Sequence, residues 1–288
     1  MNRYNNIREL IAADFQHING VQVYRNEELE FELYQNNATR ESRHPVGCIF
    51  KSFLSAAVGT AIRDGLIQSA DQKIIDFFPQ VKPADPQLAE ITIRHALTKT
   101  TGIAWPGPGQ EMADDTIQAA FSLAVRHAPG SMFEYKPDPQ LLVYLLEERS
   151  GINAARYIKE TLFDPLEIEP HEWKTSMAEI QELKLTMHET ARLGQLYLHE
   201  GCWQGQQIIP RNYLRESLLS HVENGFPEQY SYGYLWWTGR MEGHPVFFAS
   251  GFGGQYLAVI PEQGLVAVIA SQMDRPHPEN RMILHSLL

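Results

Sequence analysis

Segments of strand-like alternation stand at both ends of this 288-residue chain, with helical spacing between them, and that order narrows the possible folds more than any other feature. Near the start, Val21 to Tyr24 and Leu29 to Tyr34 flank a polar turn, Arg25-Asn26-Glu27-Glu28, and Leu29, Phe31 and Leu33 alternate with Glu30 and Glu32. Successive side chains of a strand point to opposite faces, so this alternation predicts an antiparallel hairpin with one wet face. After Tyr230 the pattern returns: Tyr232 to Thr238, Pro245 to Ala249, Gln255 to Ile260 and Leu265 to Ala270 read as strands, the last two joined by Pro261-Glu262-Gln263-Gly264, and Glu279 to Leu288 reads as a closing helix. From Cys48 to about Glu223 the spacing is mainly helical, broken by loops at Trp105-Pro106-Gly107-Pro108-Gly109 and Lys136-Pro137-Asp138-Pro139. The predicted fold is α/β of the α+β type: an antiparallel sheet built from both chain ends, flanked by helices and standing beside a helical lobe. The expected organisation is one unit over 1–288, its sheet subdomain from about 1–47 and 230–288 and its mostly helical subdomain from about 66–225. No internal repeat or low-complexity tract divides it.

The chemistry concentrates where the first sheet segment gives way to helix. Phe50, Phe53, Leu54, Ala57, Val58, Ala61 and Ile62 recur at three- and four-residue intervals and Gly65 follows as a stop, which predicts a buried amphipathic helix opening at His44-Pro45-Val46-Gly47-Cys48-Ile49-Phe50-Lys51. Residues three apart share a helical face, so the Lys51 ammonium is expected near the Cys48 sulfur, where the helix N-terminus adds partial positive charge. A free thiol has a pKa of about 8.5, and both influences favour thiolate at neutral pH. The plainer alternative makes Cys48 a small buried hydrophobe and Lys51 a side chain that extends outward along the first turn.

With 35 acidic against 24 basic residues and a net charge of −11, neither nucleic acid nor an anionic membrane surface is an expected partner. The start of the chain, Met1-Asn2-Arg3-Tyr4-Asn5-Asn6-Ile7-Arg8, lacks the apolar run of a signal peptide, and no stretch approaches the roughly 18 apolar residues of a membrane span. A cytoplasmic location is expected, and with it Cys48 and Cys202 as free thiols, Cys202 a bystander in Glu200-Gly201-Cys202-Trp203-Gln204-Gly205. The pairs His171-Glu172, His188-Glu189 and His199-Glu200 lack the second histidine of a zinc helix, so no metal or other cofactor is expected. His44 and His244 are candidates for auxiliary bases. Trp105, Tyr230, Tyr232, Tyr234, Trp236, Trp237 and Phe252 are candidates for an apolar acyl pocket, with Trp105 and Trp236 taken forward.

Several stretches, in order, carry a resemblance that covers nearly the whole chain. They are Val46-Gly47-Cys48-Ile49-Phe50-Lys51-Ser52-Phe53, Ile91-Thr92-Ile93-Arg94-His95-Ala96-Leu97-Thr98-Lys99-Thr100-Thr101-Gly102-Ile103, Pro129-Gly130-Ser131-Met132-Phe133-Glu134-Tyr135, Leu193-Gly194-Gln195-Leu196-Tyr197-Leu198, Tyr232-Gly233-Tyr234-Leu235-Trp236-Trp237 and Ala249-Ser250-Gly251-Phe252-Gly253-Gly254-Gln255. The series resembles the serine β-lactamase and penicillin-binding-protein superfamily, in its class C-like esterase branch.

The resemblance implies an antiparallel sheet flanked by helices, a helical domain, and an active site between them. It makes Cys48 the nucleophile where the family has serine, Lys51 the lysine of the Ser-x-x-Lys motif, and Tyr135 the tyrosine of Tyr-x-Asn, which relays protons. Pro137 stands in place of that motif's asparagine and supplies no amide. Ala249-Ser250-Gly251 falls on the third motif, whose cation is missing, which argues against β-lactams and peptidoglycan stem peptides as substrates. Ser250 and Gly251 are the implied substrate-binding positions, and the backbone N–H groups of Cys48 and Phe252 the implied oxyanion hole. The implied activity is acyl hydrolysis or acyl transfer through a thioester on Cys48, from a small-molecule or peptide-like ester, thioester or amide. The same residues fit a catalytically impaired binding or regulatory relative, or an esterase whose serine was exchanged for cysteine.

Overall fold

A computed structural model describes residues 3–107, 116–170, 183–273 and 278–288. Pro108, Gly109, His171 and Glu172 lie outside the described residues.

The hairpin read near the start forms from β1 (Ile18–Arg25) and β2 (Glu28–Tyr34), and its two-residue turn places Asn26 and Glu27 at φ 48° and 72°. Positive φ at both turn positions matches the twist of the flanking strands, which is why so short a connection closes them. The later strands are β3 (Val222–Gly225), β4 (Tyr230–Tyr232), β5 (Trp237–Met241), β6 (His244–Gly251), β7 (Gln255–Ile260) and β8 (Leu265–Ser271). They make one antiparallel sheet in the order β2-β1-β8-β7-β6-β5-β4-β3, so the first strand of the chain pairs with the last, Val21 opposite Ile269 and Tyr24 opposite Val266. Every residue of β7 and β8 is buried, which requires cover on both faces of the central strands.

The helices are α1 (Arg3–Asp14), α2 (Phe50–Arg63), α3 (Ile93–Thr98), α4 (Ile117–Ala120), α5 (Gln140–Ser150), α6 (Ala154–Ile158), α7 (Met187–Leu198), α8 (Arg211–Ser217) and α9 (Arg281–His285). The helix expected after Cys48 is α2, and it is buried around its whole circumference rather than on one face. Its polar residues meet their hydrogen-bonding needs inside the core: Ser52 Oγ donates to the Leu235 carbonyl at 2.8 Å, and the Tyr213 hydroxyl reaches the Ser55 carbonyl at 2.9 Å. Against α2 pack α5, α6 and α8, with Phe53 meeting Phe163 edge to face at 5.4 Å.

Three sequence expectations need correction. The segment Tyr232 to Thr238 is not one strand. Leu235 takes φ 59° and Gly233 N–H bonds the Trp236 carbonyl at 2.8 Å, so residues 233–236 form the turn between β4 and β5. Residues 187–198 were expected in the helical lobe, yet α7 lies on the sheet. Gly194 has no side chain where a Cβ would stand 2.7 Å from Val266 Cγ1 and 3.0 Å from Leu257 Cδ1, and that lets the helix settle directly on β7 and β8. The sheet also begins earlier than residue 230, because β3 pairs with β4.

Candidate active site

Cys48 sits on a single 3-10 turn, Gly47–Ile49, that leads without a break into α2. The turn is set by Gly47, whose φ of 51° is costly for any residue with a side chain, and by the Val46 N–H, which bonds the Leu183 carbonyl at 2.9 Å. Lys51, one turn further, donates from Nζ to Cys48 Sγ at 2.8 Å and lies 3.4 Å from the Tyr135 hydroxyl. Sulfur, amine and phenol are thus together, as the spacing and the resemblance led one to expect.

Tyr135 comes from an irregular segment between α4 and α5, and long-range contacts hold it there. Glu134 N–H bonds the Lys99 carbonyl at 3.0 Å, and Lys99 Nζ returns a bond to the Lys136 carbonyl at 2.5 Å. The phenol ring lies nearly parallel to the Trp237 indole, with centroids 5.9 Å apart and planes at 12°, and packs edge-on with Tyr232. Two ammonium groups also approach it, Lys51 Nζ 4.7 Å and Lys99 Nζ 4.4 Å from the ring centroid.

These surroundings set the protonation states. Burial pushes the Cys48 thiol up, but the Lys51 charge and hydrogen bond, the Lys99 charge and a hydrogen bond from Tyr135 outweigh it, and the thiol ends below its ordinary value. Tyr135 is held well above an ordinary phenol by burial and then by the charge of the Cys48 thiolate, so it keeps its proton at neutral pH. Lys99 is brought down to about 7 by burial and by the Lys51 charge, against the pull of Asp138 and Cys48. Asp138, raised by burial, accepts hydrogen bonds from Thr101 Oγ1 at 2.8 Å, Trp105 Nε1 at 2.6 Å and Thr101 N–H at 3.2 Å.

The far wall is the end of β6. Pairing between β5 and β6 stops at Trp237 and Phe248, so Ala249, Ser250 and Gly251 run on with their β5-facing edge unpaired. An ideal Cβ on Gly251 would lie 2.7 Å from the Val46 carbonyl and 3.6 Å from the Cys48 amide, and one on Gly47 would lie 3.2 Å from the Phe252 amide. The backbone N–H groups of Cys48 and Phe252 are therefore neighbours, and the absence of a Cβ at Gly251 keeps the space beside them open. Ser250 is half-buried opposite Tyr256 of β7. Gly253 and Gly254, at φ 87° and 85°, make the bend into β7.

Other candidates lie elsewhere. Trp236 is fully buried against Tyr197 and Phe247, with centroids 4.7 and 5.3 Å away, so it lines no accessible pocket; the turn at 233–236 puts Trp237 beside Tyr135 instead. Trp105 is only 4% exposed and its indole N–H is committed to Asp138, which makes it a support of the site rather than its lining. His44 is buried and packs toward Leu185, Met187 and Thr190, and burial lowers its pKa. His244 begins β6, paired with Glu262, about 23 Å along the strand from Gly251. Cys202, a free thiol, pairs in a two-residue ladder with Gln207. Among the described residues, no group of three His, Cys, Asp or Glu side chains is placed to hold a metal ion, and no helix is long and apolar enough to cross a membrane.

Sequence reasoning gave no role to Lys99 or Asp138, and named Trp237 only among the pocket aromatics, taking Trp236 forward in its place. Lys99 stood within a motif that fitted the resemblance, but nothing local announced that its side chain folds inward.

Comparison with known proteins agrees with this architecture. Residues 7–286 match the family described as Beta-lactamase. An uncharacterized protein of Alkalihalophilus pseudofirmus is 24% identical over 273 residues, covering 82% of this chain and 76% of that protein. EstCE1, a hydrolase with promiscuous acyltransferase activity, superposes with a TM-score of 0.81 at 13% identity, over 98% of this chain and 97% of its own. The octameric penicillin-binding protein homologue from Pyrococcus abyssi superposes with a TM-score of 0.76 at 19% identity, over 100% of this chain and 77% of its own. The chain belongs to the beta-lactamase family.

Proposed function

We propose that this protein is an acyl hydrolase or acyltransferase whose nucleophile is the Cys48 thiolate. The observation that carries the reading is the 2.8 Å contact from Lys51 Nζ to Cys48 Sγ, with the Cys48 and Phe252 amides near Gly251 and Gly47. In the first half-reaction the sulfur attacks the carbonyl carbon of an ester, thioester or amide; the carbon–sulfur bond forms and the carbonyl oxygen takes up charge facing the two amides. As the tetrahedral species collapses, the bond to the leaving group breaks and that group leaves with the Tyr135 proton, which Lys51 replaces across 3.4 Å.

The second half-reaction runs in reverse order. Water or an amine gives its proton to the Lys51–Tyr135 pair, attacks the thioester, and expels Cys48 as thiolate. Acylation removes the thiolate charge that helps hold Tyr135 protonated, so the phenol passes its proton more readily to the Lys51 amine left neutral by the first step, and the acceptor's proton then enters the pair through the phenolate. EstCE1, described as a hydrolase with promiscuous acyltransferase activity, supports the same division between water and another acceptor.

The test is intact-mass measurement after exposure to activated esters and thioesters. One acyl mass per chain, absent in Cys48→Ala, is expected. No adduct across a broad panel would favour the alternative of a family member that binds without turnover, a reading that Pro137 and Ala249 at the altered motif positions keep open.

A further inference from the structure

The strand that borders the site carries Ala249-Ser250-Gly251 and no cation at those positions, yet a second ammonium stands beside Tyr135. Lys99 is 1% exposed and ends α3 in the left-handed conformation, at φ 57°. A side chain at that conformation leaves the helix axis sharply, and here it enters the interior. Its backbone carbonyl takes the Glu134 N–H, its Nζ binds the Lys136 carbonyl, and its Nζ stands 4.4 Å from the centre of the Tyr135 ring. One lysine thereby grips the tyrosine segment on both sides of Tyr135. Burying a long ammonium side chain completely is expensive, and non-Gly residues at positive φ are uncommon, so the fold bears two costs at one residue.

We propose that Lys99 is a positioning residue that supplies the second positive charge of the site, holding Tyr135 in place and adding to the potential that keeps Cys48 ionised. This rests on the reading of Cys48 as nucleophile, but its effect on the thiol can be measured without any substrate. The charged and titratable groups that face Lys99 are Cys48 and Lys51 from the turn and helix α2, and Tyr135 and Asp138 from the segment before α5; Tyr232 of β4 packs on Tyr135 behind them. Of these, Asp138 and the Cys48 thiolate favour the charged amine and Lys51 opposes it.

The experiment is iodoacetamide alkylation of Cys48, followed by peptide mass against pH, in wild type, Lys99→Gln and Lys99→Met. Gln keeps a donor for the Lys136 carbonyl and loses the charge; Met loses both. Both variants are expected to raise the alkylation midpoint by roughly half to one pH unit and to slow alkylation at pH 7 roughly three- to tenfold. A folded Lys99→Gln protein that titrates at the wild-type midpoint would overturn the proposal, because a purely structural lysine alters stability and leaves the thiol alone. If neither variant folds, the wild-type profile decides: loss of the Lys99 proton near pH 7 weakens thiolate stabilisation and spreads the curve beyond a one-proton titration, whereas a simple one-proton curve counts against it. Failure of the acyl-adduct experiment with a shifted alkylation midpoint would remove the catalytic reading and leave the role of Lys99 standing.

Discussion

The Trp237 indole lies parallel to the Tyr135 phenol, with centroids 5.9 Å apart and planes 12° apart, so a residue at the start of β5 fixes the ring beside Lys51 and Cys48. Trp237 is buried among Phe133, Tyr232 and Tyr135. Trp237→Ala is expected to lower stability by about 3–5 kcal/mol, the cost of emptying a large aromatic site. It should slow acylation beyond what the stability loss explains, measured as single-turnover adduct formation under conditions where the variant is fully folded.

The alkylation midpoint of wild-type Cys48 is expected below the ordinary thiol value of about 8.5. In Lys51→Met the largest opposing influence, burial, remains while the neighbouring charge and its hydrogen bond are gone. The midpoint should then rise above the ordinary value, and alkylation at pH 7 should slow by about tenfold or more.

Gly251 has no positive φ requirement, so its substitution acts through contact alone. Gly251→Ala brings a Cβ to 2.7 Å from the Val46 carbonyl and next to the Cys48 amide, and something must move. If the Cys48 and Phe252 amides serve as the proposed oxyanion donors, disturbing one costs about a hundredfold or more in rate, and a loss of that order in acylation, with Cys48 alkylation near normal, is the expected outcome.

Asp138 ties Thr101, Trp105 and the Lys99 charge into one buried cluster. Asp138→Ala strands the Trp105 and Thr101 donors and leaves the lysine without its countercharge, and is expected to cost about 3–5 kcal/mol. Trp105→Phe removes one of the two donors to Asp138 Oδ1, the other being Thr101 Oγ1, and should cost less, about 1–3 kcal/mol. Urea unfolding midpoints at unchanged slope measure both.

Stability should depend on pH in a definite sense. The folded Lys99 value of about 7 lies below the unfolded value of about 10.4, so between these limits the unfolded chain binds more protons and stability rises with pH. The lowered Cys48 adds a rise in the same direction up to about 8.5. Tyr135, raised in the fold, works oppositely and removes stability once pH passes about 10. Urea titrations at pH 7, 9 and 11 should therefore show a rise followed by a fall, and Lys99→Met should flatten the first part.

The parts of the fold governed by local pattern were legible in the sequence. Leu29, Phe31 and Leu33 gave the β2 face, the spacing from Phe50 to Ile62 gave α2, and the ordered motifs placed Cys48, Lys51 and Tyr135 in one site. What escaped depends on single backbone angles or on contacts distant in sequence. The positive φ of Leu235 breaks an apparently continuous strand and so exchanges Trp236 for Trp237 beside Tyr135. The positive φ of Lys99 sends a charged residue inward, where sequence pattern places lysine at the surface. Asp138 reads as a loop residue because its partners, Thr101 and Trp105, lie more than 30 positions away.

Because β1 pairs with β8, a nascent chain leaves the ribosome with its Cys48 thiol long before the sheet can close. Cys48 and Lys51 emerge together, while the Phe252 amide follows roughly 200 residues later, an interval of about 10 to 40 seconds at ordinary translation speed. Through that window the sulfur has its ammonium neighbour but not the strand end that borders it in the folded protein. The surroundings of the sulfur are thereby completed only when synthesis of the final strands joins the two ends.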